Sequence, residues 1–235
     1  MIIDVIPVGP IQCNCVILGD AATREALVID PGEEPETILD ALARHHLEVK
    51  AIILTHAHLD HIGAVAPVRE ALGVDVFLHP DDQPLYDMKQ AQAEWLGCAP
   101  PPDTPITARL ADNQAISLGE NMGKIIHTPG HSPGGVCLYF ESVTIEEAEG
   151  TWTGAKAGLS SAAGLPLQRH PLLICGDVLF MGSIGRTDLW GGSYEQLMQS
   201  IRERLLILPD ETLIIPGHGP VTILKDEKEH NPYLQ

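Results

Sequence analysis

Aromatic and basic residues are scarce in this chain of 235 residues. Phe, Trp and Tyr make up 4% of it, and 14 Lys and Arg stand against 32 Asp and Glu, so the formal charge is −18 at pH 7. Such a charge repels nucleic-acid phosphates and anionic membrane surfaces. We therefore expect a small-molecule partner, with no nucleic acid and no membrane.

Long apolar runs and a disulfide framework are lacking as well. No stretch approaches the roughly 20 apolar residues of a membrane-spanning helix, and residues 1–7 lack the features of a secretory signal, so we expect a cytoplasmic protein. The five cysteines are odd in number and scattered, which excludes a disulfide framework. Cys13 and Cys15 could form a metal motif, but alternate strand positions favour two buried thiols.

Glycine and proline, by contrast, are frequent, with 22 and 19 residues. They predict many short elements joined by tight turns, and the length fits a single catalytic domain, 1–235, of α/β (α+β) class. Strand patterns occur at 2–8, 14–18, 26–29, 49–54, 74–78, 114–118, 123–127, 136–140, 171–177 and 212–217, and helical patterns at 35–46, 63–72 and 193–207.

Two features concern the order of these elements. Residues 50–58 and 124–131 are weakly similar, since each is an apolar strand that ends in Thr and His. This similarity suggests two related half-domains that deliver ligands from matching strand ends into the seam between them.

Residues 141–170 are acidic and then rich in small residues, which predicts a flexible insertion, either a lid or a tolerated loop.

The densest group of metal-ligand side chains is residues 55–61, THAHLDH, directly after an apolar strand. Three imidazoles and one carboxylate within six residues predict half of a metal site. Three later strands each end near one more donor. The candidate ligands are His56, His58, Asp60, His61, His131, Asp177 and His218.

Seven nitrogen and oxygen donors exceed what one tetrahedral ion can use. If Asp177 bridges two divalent ions, a hydroxide between them completes the site. Structural zinc would usually be four-coordinate and often bound by cysteine, so the pattern favours a catalytic centre with Zn²⁺, or Fe or Mn in its place. With Asp177 as the bridge between two ions, the other six donors divide into two sets of three. One set is His56, His58 and His131, and the other is Asp60, His61 and His218.

This arrangement resembles the metallo-β-lactamase-fold hydrolases over nearly the whole chain apart from the insertion. The resemblance implies an αββα sandwich of two related half-domains. Within that superfamily the chain is similar to the glyoxalase II (hydroxyacylglutathione hydrolase) branch, in its compact bacterial type without a C-terminal helical domain. The similar stretches are 128–134 (TPGHSPG), 176–180 (GDVLF), 185–188 (GRTD) and 231–234 (NPYL).

The glyoxalase II branch hydrolyses glutathione thioesters, chiefly S-D-lactoylglutathione. The resemblance implies that a metal-bridging hydroxide attacks the thioester carbonyl and that a thiolate leaves. Asp60 and Asp177 are then the catalytic carboxylates. Arg186 stands where this family often carries a basic residue that contacts glutathione, although an ion pair with Asp188 explains it equally well.

Three other functions remain open. A persulfide dioxygenase of the same superfamily resembles the chain at 185–188 and 231–232, and it would hold one iron at His56, His131 and Asp177. The same dinuclear centre could instead hydrolyse another ester, a lactone, a lactam or a phosphodiester, because a fold does not fix its substrate. A non-catalytic metal-binding module is disfavoured, since no donor is missing.

Overall fold

The computed structural model describes residues 1–145 and 169–235 as two facing β-sheets with helices on both outer faces. The first sheet runs in chain order: β1 (Ile2–Val8), β2 (Cys13–Gly19), β3 (Glu25–Ile29), β4 (Glu48–Ile53), β5 (Asp75–Leu78) and β6 (Ala108–Arg109). The second has the order β14 (Thr222–Ile223), β13 (Leu213–Pro216), β10 (Arg169–Gly176), β9 (Val136–Thr144), β8 (Asn121–His127) and β7 (Ala115–Leu118). A hairpin of β11 (Leu179–Phe180) and β12 (Ser183–Ile184) follows β10.

Both sheets are mixed. β1, β2 and β3 pair antiparallel, as the closely spaced early strands predict, whereas β3 to β6 pair parallel. In the second sheet only β10 and β13 are parallel among the described pairs. The parallel strands need crossover connections, and helices supply them.

Helices cover the outer faces of the two sheets. On the first sheet lie α1 (Pro35–Arg44), α2 (Leu59–Ile62), α3 (Val65–Leu72), α4 (Gln83–Asp87) and α5 (Lys89–Leu96). On the second lie α6 (Tyr194–Ser200), a π-helical turn at Ile201–Leu205 and α7 (Leu224–His230). None of the described helices is long and apolar enough to cross a membrane.

The strands supply two apolar faces because their side chains alternate. Val5 of β1 and Phe140 of β9 lie in one buried cluster between the sheets. Their neighbours Ile6 and Tyr139 lie in the clusters between sheet and helix. The result is the predicted αββα sandwich, in which the carboxyl ends of several strands meet at one edge.

Some predicted boundaries were wrong. The helix expected at 193–207 is α-helical only to Ser200 and continues as the π-helical turn, and α7 was not predicted. Residues 141–144 and 169–170 of the expected insertion belong to β9 and β10, because their backbone groups pair across the sheet. Residue 145 follows β9 outside any strand, and residues 146–168 of the expected insertion lie outside the described residues.

Candidate metal centre

Each predicted donor follows the end of a buried strand. β4 ends at Ile53 and is followed by His56, His58 and the short helix α2, which carries Asp60 and His61. β8, β10 and β13 end at residues 127, 176 and 216, just before His131, Asp177 and His218. The fold brings all seven side chains to one edge of the sandwich.

The first three imidazoles form a compact group. His131 Nε2 lies 2.8 Å from His58 Nδ1 and 3.2 Å from His56 Nε2. All three residues are buried, with at most 5% of each exposed. Together they offer three nitrogens that could hold one metal ion.

The second set lies beside the first. His218 Nε2 is 3.1 Å from Asp60 Oδ2 and 3.3 Å from His61 Nε2. His61 is fully buried, whereas the side chains of His218 and Asp60 are 23% and 20% exposed. This half of the site therefore opens toward solvent.

Asp177 stands between the two sets. Its Oδ1 lies 3.4 Å from His61 Nε2, and its Oδ2 lies 3.6 Å from His131 Nε2 and 3.7 Å from His218 Nε2. Oδ1 is buried and has no hydrogen-bond partner among the described residues. One carboxylate thus faces both imidazole groups, which is the geometry that a bridging ligand needs.

The outer nitrogen of each of four histidines contacts an oxygen that fixes its tautomer. His131 Nδ1 donates to the Arg186 carbonyl at 2.7 Å, and His218 Nδ1 faces the carbonyls of Ile11 and Gln12 at 3.2 Å. His61 Nδ1 donates to Asp30 at 2.9 Å, and His56 Nδ1 lies 3.1 Å from the Thr55 hydroxyl. In the neutral form of each imidazole the inner nitrogen then carries the lone pair that a metal-ligating histidine requires.

These separations are close to those of metal coordination. Donor atoms on one tetrahedral ion with bonds of about 2.0 to 2.2 Å lie about 3.3 to 3.6 Å apart. The separations within and between the two sets span 2.8 to 3.7 Å. Buried lone pairs that face one another repel, so the donor set is suited to divalent cations.

Electrostatics hold His56, His58 and Asp177 in their ligating forms. Burial, together with the neighbouring His131, lowers the pKa of His58 to about 3, and burial lowers that of His56 well below its ordinary value. Burial also opposes ionisation of Asp177, but the surrounding imidazoles of His61, His131 and His218 outweigh it and lower the pKa to about 2. Neutral imidazoles and ionised carboxylates are the forms that bind metal. Burial opposes charge on His61 and His218, but neighbours that include Asp60 and Asp177 outweigh it and raise both pKa values, so a metal ion must displace a proton from each of these two imidazoles.

Sequence reasoning missed three buried residues that hold the ligand loops. Asp30 accepts hydrogen bonds from His61 and from the Thr55 amide and hydroxyl, at 2.5 to 2.9 Å. Asp82 accepts from the Ala57 amide, and Gln92 bonds the Ala57 carbonyl and the Leu59 amide. The sequence contained a signal for the role of Asp30, because this residue directly follows a buried strand, as Asp177 does. Asp82 and Gln92 had none.

Arg186 and the two cysteines of β2 remain from the sequence analysis. The Arg186 side chain is 52% exposed and forms a bidentate pair with Asp188, at 2.7 and 2.9 Å. Cys13 and Cys15 are buried on β2, as predicted. Cys13 Sγ also lies 3.4 Å from His61 Nδ1, although burial raises the pKa of this thiol to about 12, so it stays protonated.

Three known proteins similar to this chain match it over nearly their whole length. It is 34% identical to "Hydroxyacylglutathione hydrolase GloC" of Haemophilus influenzae, over all of this chain and 98% of that protein. The crystal structure of BLEG-1 B3 metallo-beta-lactamase superposes with a TM-score of 0.78 and 34% identity, over 99% of both chains. TTHA1623, solved in a di-iron-bound form, gives a TM-score of 0.77 and 38% identity, over 98% of this chain and 99% of that one.

The family assignment rests on the sequence match as well as the fold. Residues 8–145 match the family described as "Metallo-beta-lactamase superfamily". That range contains five of the seven candidate donors, namely His56, His58, Asp60, His61 and His131, and the others follow from β10 and β13. The chain belongs to the metallo-beta-lactamase superfamily.

Proposed function

We propose that this metal-dependent hydrolase cleaves a glutathione thioester, with S-D-lactoylglutathione or a related hydroxyacylglutathione as its substrate. The proposal is carried by the two sets of donors and by Asp177, whose carboxylate faces both sets. The similarity to a hydroxyacylglutathione hydrolase over the whole chain supports it. Residues 1–235 act in this proposal as a single catalytic domain.

Two divalent ions, Zn²⁺ or else Fe or Mn, fit the two donor sets. His56, His58 and His131 would hold one ion, Asp60, His61 and His218 the other, and Asp177 both. Bound there, such ions lower the pKa of water and polarise a carbonyl oxygen. The chain's own part is to hold the ligating nitrogens and carboxylates in place.

Two carboxylates of the candidate metal centre are partly open to solvent. The side chains of Asp60 and Asp177 are 20% and 13% exposed, so each can accept a hydrogen bond from an attacking water and orient it toward the substrate. The thiolate of a thioester is a good leaving group, so a strong general acid is not needed.

A covalent route through the buried thiols of Cys13 and Cys175 is disfavoured. Burial raises the pKa of Cys13 to about 12 and that of Cys175 well above its ordinary value. Neither thiol supplies a thiolate nucleophile near neutral pH. A hydrolase that activates water agrees with this chemistry.

Arg186 is our proposed contact for the anionic glutathione portion. Its backbone carbonyl holds His131, so the residue stands beside the centre, and its guanidinium is exposed. Surface ion pairs such as that with Asp188 are weak. A substrate carboxylate can therefore replace Asp188 as its partner.

The test is an assay of metal-quantified protein with S-D-lactoylglutathione. We expect turnover that Asp177→Ala abolishes and that the exposed control Asp226→Ala leaves intact. No turnover at full metal loading contradicts the proposal. If the protein holds one iron per chain and consumes oxygen in the presence of glutathione persulfide, it is a dioxygenase and the hydrolase proposal is wrong.

Lactam hydrolysis at the same centre is the second candidate. The identity to BLEG-1, 34% over 99% of the chain, favours it. An attacking water, a polarised carbonyl and a neighbouring carboxylate serve both reactions. Comparing kcat/KM for a penicillin and a cephalosporin with that for the thioester decides between them.

A further inference from the structure

A groove of about 500 Å³ begins at Asp60 and runs along α2 and α3 toward the loop after α5. We call it the Asp60 groove. Its walls are mostly apolar, and include Ile11, Leu59, Ala64, Pro67, Leu96 and Pro101.

The groove adjoins the candidate metal centre at two points. Asp60 lines it and also places Oδ2 3.1 Å from His218 Nε2. Ile11 lines it too, and its carbonyl oxygen lies 3.2 Å from His218 Nδ1. A molecule that reacts at the centre can therefore extend directly into the groove.

The charges of the groove select against anions. Its charged lining consists of the carboxylates of Glu33, Glu34 and Asp60, and no Lys, Arg or His of the described residues lines it. If Asp60 holds a metal ion, Glu33 and Glu34 remain as carboxylates without a cation beside them in the groove. A carboxylate in this groove would be repelled at short range. The anionic portion of a glutathione thioester does not fit there, whereas an uncharged chain does.

Two large apolar side chains on the walls remain open to water. Ile11 is 49% exposed and Leu96 is 40% exposed. Covering such surfaces with an apolar ligand is favourable in proportion to the area removed from water. Arg186 contacts His131 of the first donor set, whereas the groove adjoins Asp60 and His218 of the second. This separation leaves the groove to the acyl group.

We propose that the Asp60 groove binds the uncharged, apolar acyl chain of the thioester substrate, so that the enzyme accepts acyl groups longer than lactoyl. The inference rests on the proposed thioester hydrolysis for its kinetic consequences. Binding of the chain itself depends only on the groove.

The kinetic arm compares S-acetyl-, S-butyryl-, S-hexanoyl- and S-octanoylglutathione on metal-quantified protein. We expect kcat/KM to rise about twofold to fourfold for each added methylene that enters the groove. Leu96→Ser should flatten this dependence on chain length. The control Ile207→Ser, which changes an isoleucine that is 73% exposed and lies outside the groove, should keep it.

The charge arm uses S-glutarylglutathione, whose acyl chain ends in a carboxylate. We expect a kcat/KM below that for an uncharged chain of similar length. Glu33→Gln should narrow this difference, because it removes one of the carboxylates from the groove. An unchanged difference in that variant overturns the charge argument.

The binding arm needs no turnover. Calorimetry should show that octanamide binds more tightly than butanamide or octanoate, and that Leu96→Ser weakens octanamide binding while Ile207→Ser does not. Turnover without any effect of chain length, together with no amide binding, overturns the groove proposal and leaves the hydrolase proposal standing. Amide binding without thioester turnover supports the groove proposal and overturns the proposal of thioester hydrolysis.

Discussion

The carboxylate of Asp82 accepts a hydrogen bond from the Ser132 hydroxyl at 2.9 Å, and both residues are fully buried. The same carboxylate accepts from the backbone amides of Ala57 and Gly134, at 2.9 and 2.5 Å. One side chain thus ties the ligand loop after β4 to the ligand loop after β8. The two halves of the sandwich are held in register beside His58 and His131.

Asp82→Asn should loosen this connection. An amide nitrogen cannot accept from a backbone amide, so the variant leaves a buried donor unpaired, at about 1 to 3 kcal/mol of stability. We expect metal affinity to fall about tenfold to a hundredfold, as measured by metal titration alongside the melting temperature. The control Asp87→Asn changes a nearby exposed side chain that lies outside every candidate group of metal ligands and should leave both measurements unchanged. Equal metal affinity in the two variants would contradict the role of Asp82.

Asp30→Asn should affect the second donor set most. Asp30 orients His61 through the 2.9 Å contact to Nδ1, and Asn can no longer accept from all three present donors. We expect the metal content to fall from two ions toward one per chain, measured by elemental analysis after dialysis. Asp40→Asn, at an exposed position of α1, is the matched control. Retention of two tightly bound ions in Asp30→Asn would count against this prediction.

Gly217→Ala should displace Asp177. A Cβ atom at this position would lie 2.2 Å from Asp177 Oδ1 and 2.8 Å from His61 Cε1, so at least one of these side chains must move. We expect loss of metal and of turnover, checked by metal analysis and by the thioester assay. The control is Gly219→Ala, which has open space around its Cβ but a φ of +74°. It should lose about 1 kcal/mol of stability and keep its metal.

Tyr86 should make stability fall at high pH. Burial raises its pKa to about 12, and its hydroxyl donates to the Thr104 carbonyl at 2.9 Å. Above about pH 10 the unfolded chain loses this proton while the folded chain keeps it, so the free energy of unfolding drops by about 1.4 kcal/mol per pH unit until about pH 12. The contribution is fully present below pH 10.

Denaturant unfolding of wild type and Tyr86→Phe between pH 9 and 11 tests this expectation. The variant should have the shallower pH dependence, whatever its stability at pH 9. Parallel curves would show that Tyr86 titrates alike in the folded and unfolded chain.

The amino-acid sequence by itself determined the α/β (α+β) class and brought forward seven donors, and the resemblance to the metallo-β-lactamase-fold hydrolases added the αββα arrangement. The class and the donors follow from short-range patterns: alternating apolar strands make the two sheet faces, and residues 55–61 place four metal-ligand side chains within one short loop and helix. The later donors were predictable because each follows an apolar strand. The boundaries around α6, and the presence of α7, were not, since packing against the sheet decides where a short helix ends.

Only the tertiary structure decided which groups support those donors. Asp82 reaches Ala57 across 25 residues and Gly134 across 52, and nothing in its local sequence distinguishes it from the exposed Asp81. The Asp60 groove likewise combines residues near positions 10, 34, 60 and 100. Side chains far apart in the chain become neighbours only when the sheets pack, so local pattern predicts the candidate ligands and packing determines which groups hold them.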